Sequence, residues 1–258
     1  MELRPFGNTG IMISPLGLGT VKFGRNEQVK YPLPFEIPKD SEVSKILSVA
    51  YELGINVLDT APAYGNSQER IGSLLPGGRD EWIIISKIGE QFINGESIFD
   101  FTKKKTIKTI ETSLKKLKTN YIDCILIHSN GDDLAILENS DTLEALNLLK
   151  DRGYIRSFGM STKTTEGGLK AIEYTDAVMV TCNIKNNKDK EVLQLAEYKQ
   201  KGVLIKKGLM SGHFSTNDEL EDSMRFVFNQ PGVNSLIVGT INLEHLKTNA
   251  SIVEKISR

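Results

Sequence analysis

From about residue 15 onward, apolar residues fall into two alternating kinds of run. Short, nearly continuous runs rich in Ile and Val (PLGLGT, NVLDTA, EWIIISK, YIDCILIH, IRSFGMS, DAVMVT, GVLIKK and NSLIVG) predict strands buried on both faces. After each comes a longer stretch with helical spacing. The first is DSEVSKILSVAYELG, with Val43, Ile46, Leu47, Ala50 and Leu53 on one face; Asp40 or Ser41 is expected to cap it and Gly54 to end it. SQERIGSLL, KKKTIKTIETSLKKLKT, NSDTLEALNLLKDRG, TEGGLKAIEY, KDKEVLQLAEYKQKG, SMRFVFNQPG and NLEHLKTNASIVEKIS complete the series. Eight strands, each followed by a helix, predict a parallel α/β fold of the (β/α)8 TIM barrel type. The count, and the lack of a GxGxxG turn, favour the barrel over an open doubly wound sheet. The opening LRPFG-NTG-IMIS reads as an N-terminal β-hairpin around an Asn/Gly turn, placed to act as a plug or lid. No linker interrupts the alternation, so a single domain is expected over 1–258.

Composition narrows the partners. Lys plus Arg (32) nearly equals Asp plus Glu (33), and the resulting net charge of -1 gives no global attraction to nucleic acid or to an anionic membrane. A small-molecule partner is expected. The start MELRPFGNTG lacks the n- and h-regions of a signal peptide, and no run approaches the roughly 18 apolar residues of a membrane helix, which predicts a cytoplasmic protein with no membrane partner. Cys124 and Cys182 stand in apolar stretches without metal-ligand spacing and read as buried free thiols. Of three histidines only His128 ends a strand, so no metal site is expected. Nothing in the pattern reports oligomeric state.

A barrel of this kind carries its active site at the C-terminal ends of the strands. That rule selects Asp59 on the second strand, Lys87 on the third, His128 on the fourth and Ser161 on the fifth, with Tyr64 in the loop after Asp59. Alone, a strand-end Asp can cap a turn and a loop Tyr can simply pack. A lysine ending the buried strand WIIIS is costlier to explain without an anion or a function. Together the four residues point to chemistry.

The segment GINVLDTAPAYGNSQERIG, residues 54 to 72, closely resembles the signature of the aldo-keto reductases, with Asp59, Tyr64, Gly65, Glu69 and Gly72 matching. IISKIG with Lys87, ILIHS with His128, IRSFGMS and VGTINLEHLKTN are similar to later family motifs, so the resemblance covers nearly the whole chain. It implies hydride transfer between NAD(P)H and a small-molecule carbonyl or sugar substrate. Tyr64 would act as general acid and Lys87 would move the phenol toward neutrality; Asp59 would hold the ammonium and His128 donate a hydrogen bond to the carbonyl. The same site implies, as alternatives, a sugar or polyol dehydrogenase working oxidatively, or a weakly catalytic nucleotide-binding redox sensor or regulatory subunit.

By the same resemblance the cofactor, NADPH with NADH as the alternative, lies across the rim. Gly19, Thr20, Val21 and Asp59 correspond to the nicotinamide-ribose side. Ser161 corresponds to a carboxamide contact, while Thr162 replaces the usual Asn, Met179 the usual Gln and Lys206 the usual stacking aromatic. Lys207, Leu209, Ser211 and Gly212 fall around the pyrophosphate. Gly239, Thr240, Ile241 and Asn242, with His245, Thr248 and Asn249 on the last helix, form the adenosine-phosphate segment. His213 is expected to meet solvent or cofactor. In the long loop after the first strand, Phe23, Tyr31 and Phe35 are candidates for an apolar substrate wall. The chain ends almost with its last helix, which predicts an open pocket.

Overall fold

The structure, a computed structural model, describes residues 1–212 and 216–257. Two short strands, β1 (Arg4–Pro5) and β2 (Met12–Ile13), pair antiparallel ahead of the main fold. Then follow β3 (Leu16–Gly19), α1 (Asp40–Glu52), β4 (Val57–Asp59), α2 (Ser67–Leu74) and β5 (Ile83–Ile88). A second hairpin, β6 (Glu90–Ile93) and β7 (Glu96–Phe99), precedes α3 (Lys103–Lys116) and β8 (Ile122–His128). The chain continues through α4 (Asp133–Asn139), α5 (Thr142–Asp151), β9 (Ile155–Ser161), α6 (Thr165–Tyr174), β10 (Ala177–Thr181), α7 (Lys190–Tyr198), β11 (Gly202–Lys206), α8 (Asn217–Phe228), β12 (Ser235–Val238) and α9 (Leu243–Ser257). Strands β3, β4, β5, β8, β9, β10, β11 and β12 close into a parallel barrel. The expected (β/α)8 barrel is what the chain forms.

Side-chain alternation along these strands separates two apolar layers. Outward residues such as Leu18, Leu58, Ile84, Ile125, Ile127, Val178, Val203 and Ile205 pack against the helices. Inward residues Val57, Ile83, Ile85, Cys124, Leu126, Ala177, Met179 and Leu204 fill the barrel, joined from below by Phe6, Ile11 and Ile13 of the first hairpin. Phe6 packs on Gly202, where any Cβ would collide with its ring, and Asn234 Nδ2 donates to the Pro5 carbonyl at 3.0 Å. The hairpin is therefore a plug at the N-terminal end, leaving the opposite rim free for chemistry.

Helix α1 buries Val43, Ile46, Leu47 and Ala50, and Gly54, at φ +73°, ends it as the pattern predicts. Its start differs from expectation. Lys39 occupies the cap position, and its backbone N–H donates to the Glu42 carboxylate at 2.7 Å, so Asp40 and Ser41 already belong to the helix. Both cysteines are buried and free. No described helix is long and apolar enough to cross a membrane.

Candidate active site

The period-two alternation of each strand fixes what reaches the rim. One step beyond the inward Val57, Ile85 and Leu126 come Asp59, Lys87 and His128; beyond Met179 and Leu204 come Thr181 and Lys206. Register places Asp59 beside Gly19 and His128 beside Ser161. Lys87 Nζ donates to Asp59 Oδ1 at 2.6 Å and to the Thr60 carbonyl at 2.9 Å; it is 2% exposed. Burying this ammonium without a carboxylate would be prohibitive, and the pair removes that penalty while fixing the amine in place. Tyr64 presents its ring 4.9 Å from Lys87 Nζ. The four expected catalytic residues converge.

One expected consequence of that convergence is corrected. Burial pushes the Tyr64 phenol well above its ordinary 10, Asp59 and Glu90 add to the rise, and Arg25 opposes it. Among the described residues no hydrogen bond joins Lys87 to the Tyr64 hydroxyl. The ammonium is already spent on Asp59 and Thr60, so it does not bring the phenol toward neutrality here.

His128 has a partner that sequence reading missed. Its Nδ1 lies 2.6 Å from Glu90 Oε2, with the oxygen off the direction of an ideal ring N–H bond. Ser97 Oγ donates to Glu90 Oε1 at 2.6 Å, and Arg25 Nη1 stands 3.7 Å from that oxygen with its guanidinium 3.5 Å above the Phe92 ring. These neighbours outweigh burial and hold the Glu90 carboxyl down at about 2. Burial lowers the His128 ring below its ordinary value, Glu90 opposes, and Lys87 and Lys206 add to the lowering. A signal for the hairpin carrying Glu90 did exist: Asn94-Gly95, both at positive φ (+52° and +80°), is a two-residue hairpin turn.

The expected cofactor residues divide into those at the rim and those that are not. Gly19 and Gly239 leave neighbouring strand ends without side chains, and Thr20, buried, donates from Oγ1 to the Asp59 carbonyl at 3.0 Å. Val21 opens a short 3-10 turn, in which Phe23 is fully buried and so belongs to the core rather than to a substrate wall. Met179 lies in the inner apolar layer, 2% exposed, so its side chain sits below the rim and Thr181 takes the rim position on that strand. Ser161 and Thr162 are at the rim but engaged: Lys206 Nζ donates to Ser161 Oγ and to the Thr162 carbonyl, each at 2.8 Å. Burial pushes the Lys206 ammonium down to about 7, helped by Lys207, Lys87 and Lys163 and opposed by Asp133. Lys207 and Ser211 adopt left-handed backbone (φ +56° and +59°), and Leu209 packs on the core. Asn242 Oδ1 accepts from the backbone N–H of Glu244 and His245, and Thr240 Oγ1 from that of Asn242, so the first turn of α9 is already capped. His245 is exposed, Ile241 and Thr248 partly buried, Asn249 buried. His213 lies outside the described residues.

The long loop after β3 arches over this rim. A Cβ on Gly239 would collide with the Tyr31 hydroxyl, Phe35 meets Tyr31 edge-on at 5.7 Å, and Lys22 Nζ sits 3.8 Å above the Tyr31 ring. Gln28 Nε2 donates to the Gly95 carbonyl, tying the loop to the β6–β7 hairpin. The mouth is consequently narrower on this side than the short C-terminus predicts.

The Aldo/keto reductase family model matches residues 15–224. The chain belongs to that family. Among similar aldo-keto reductases, the solved structure of a Pseudomonas aeruginosa protein assigned to the family superposes with a TM-score of 0.91 at 46% identity, covering 99% of this chain and 96% of that one. The uncharacterized oxidoreductase YqkF of Bacillus subtilis is 27% identical over 96% of this chain and 90% of its own length. The L-galactose dehydrogenase of Arabidopsis thaliana is 30% identical over 79% of this chain and 63% of its own length. This aldo-keto reductase is thus an NAD(P)H-dependent oxidoreductase. Its rim suits the cofactor's anionic part: Lys207 feels the positive charge of Lys30, Lys163 and Lys188. Ser161 Oγ and the Thr162 carbonyl, the pair that would meet a carboxamide, are held by Lys206.

Proposed function

We propose that this rim reduces a small aldehyde, ketone or sugar carbonyl to the alcohol, with Tyr64 as the acid and NADPH as the preferred donor over NADH. The observation that carries this reading is the buried Lys87–Asp59 pair beneath the Tyr64 ring, with His128 on the adjacent strand. The nicotinamide supplies the hydride when bound. As negative charge grows on the carbonyl oxygen, the Tyr64 hydroxyl releases its proton to it, with the buried Lys87–Asp59 pair beneath its ring. A phenol held well above 10 stays protonated throughout the physiological range, so the proton is in place, and the charge developing on the carbonyl oxygen must draw it off a weak acid. Gly19, Thr20, Val21, Ser161, Thr162, Lys206, Lys207, Leu209, Ser211, Gly212, Gly239, Thr240, Ile241, Asn242, His245, Thr248 and Asn249 are the proposed surroundings of the dinucleotide. Met179 is left out by its depth.

Fluorescence titrations with NADPH and NADH, paired with initial rates over a panel of small aldehydes, ketones and aldoses, test the reading. Saturable binding, tighter for NADPH, with carbonyl-dependent oxidation is expected; absence of binding to either nucleotide would overturn it. Lys206 occupying Ser161 favours a second reading, a nucleotide-binding sensor with little turnover, which predicts binding with negligible rates on every carbonyl. Faster oxidation of sugars or polyols with NADP+ or NAD+ would instead mark a dehydrogenase.

A further inference from the structure

We propose that Glu90 is a positioning residue that fixes His128 as the Nδ1–H tautomer, so that Nε2 enters the barrel mouth as an acid–base atom rather than as a permanent hydrogen-bond donor. This rests on the reading of the rim as a carbonyl–alcohol site. At 2.6 Å a lone pair on Nδ1 would face the Glu90 carboxylate and be repelled, so the tautomer with a proton on Nδ1 is favoured even though the oxygen lies off the ideal N–H direction. That proton belongs to the ring, because Glu90 is kept ionised by the Ser97 hydroxyl and the Arg25 guanidinium as well as by His128 itself. A neutral imidazole has one N–H, and here Glu90 claims it. Nε2 is then a lone pair and carries no hydrogen bond to another described residue.

The consequence is a division of labour by protonation state. When the ring is neutral, Nε2 accepts from the O–H of an alcohol, as oxidation requires. Only the imidazolium, which takes its second proton from solvent, presents Nε2–H to a carbonyl oxygen, a hydrogen bond that assists proton delivery from Tyr64 in reduction. The groups bearing on the ring are Glu90 from β6, Lys87 from β5 and Lys206 from β11, with Arg25 of the arching loop behind Glu90. Glu90 stabilises the imidazolium against the two lysines and burial. On this reading the expected donation from His128 to the carbonyl depends on pH.

The β6–β7 hairpin gains a purpose from this geometry. Gly89, at φ +96° and with Phe101 packed where a Cβ would stand, turns the chain back directly after β5 so that Glu90 faces the end of β8. Ser97 on β7 pairs with Phe92 across the hairpin and completes the carboxylate's coordination.

Long-range 1H–15N NMR of the histidine rings tests the proposal without substrate or cofactor. The chain has three histidines, and His128→Gln assigns the signal. The wild-type ring above its titration midpoint is expected to be Nδ1–H. In Glu90→Gln it should lose that preference and titrate at least one pH unit lower, the alkaline limb of the carbonyl-reduction rate moving down by the same amount, while Glu90→Asp should restore part of both. A wild-type Nε2–H ring would overturn the proposal, as would an unchanged tautomer and midpoint in a folded Glu90→Gln. Should that variant not fold, the wild-type spectrum alone decides. The tautomer is read independently of turnover, so failure of the carbonyl reading would leave this result intact and recognisable.

Discussion

Lys206 is the residue where stability and function pull apart. Its ordinary value is 10.5 and burial brings it to about 7 in the folded protein, so between pH 7 and 10 the unfolded chain holds a proton that the folded chain has lost. More protons bound in the unfolded state means that stability rises with pH across this window. Lys206→Met should therefore be more stable than wild type below pH 7, with the advantage shrinking as pH climbs toward 10. Urea midpoints of both proteins from pH 6 to 10 check this; a difference that stays constant with pH would refute it. The same comparison frees Ser161 Oγ and the Thr162 carbonyl, the two groups Lys206 now occupies. Sequence reading found this position unusual because a cation stands where relatives carry an aromatic ring. It did not find the consequence, because the partners of Lys206 come from another strand.

Among the elements, the barrel strands were the most legible: continuous Ile/Val runs can only be strands buried on both faces, and each polar strand end marks the rim. The β6–β7 hairpin and α4 were not. Both are short: the hairpin leaves Ile93 and Ile98 about half exposed, and α4, although it buries Asp133, Ile136 and Leu137, spans too few turns for its period to repeat. The outward face of β8 holds a further device that no local pattern reveals. Asp123, fully buried, accepts from Arg79 Nη2 at 2.7 Å, Arg156 Nη1 at 2.8 Å and the Ile84 backbone N–H at 2.9 Å, tying β5, β8 and β9 together at the end away from the rim. Removing Asp123 leaves the buried Ile84 backbone donor and two partly exposed guanidinium groups unpaired. Asp123→Ala should cost about 2 kcal/mol in denaturant unfolding, with the Michaelis constants of any folded protein unchanged. A loss below about 0.5 kcal/mol, the range of ordinary surface substitutions, would show the cluster to be dispensable.

At the scale of the molecule, the plug at one end and the arching loop at the other divide the barrel into a closed, stabilising face and a reactive one. The proposed catalytic four were readable as a cluster because strand-end geometry and a long motif both point to Asp59, Tyr64, Lys87 and His128. Glu90, Arg25 and the depth of Met179 required the fold, since each depends on which way a turn sends the chain or on which layer a strand residue faces. The account as a whole stands on Tyr64 as the proton donor above the Lys87–Asp59 pair. Its most direct test is the rate of carbonyl-dependent NADPH oxidation by Tyr64→Phe at a nucleotide concentration shown by titration to saturate both proteins. Loss of the acid predicts a fall of at least about 100-fold with nucleotide affinity retained, whereas a rate equal to that of wild type would contradict the assignment.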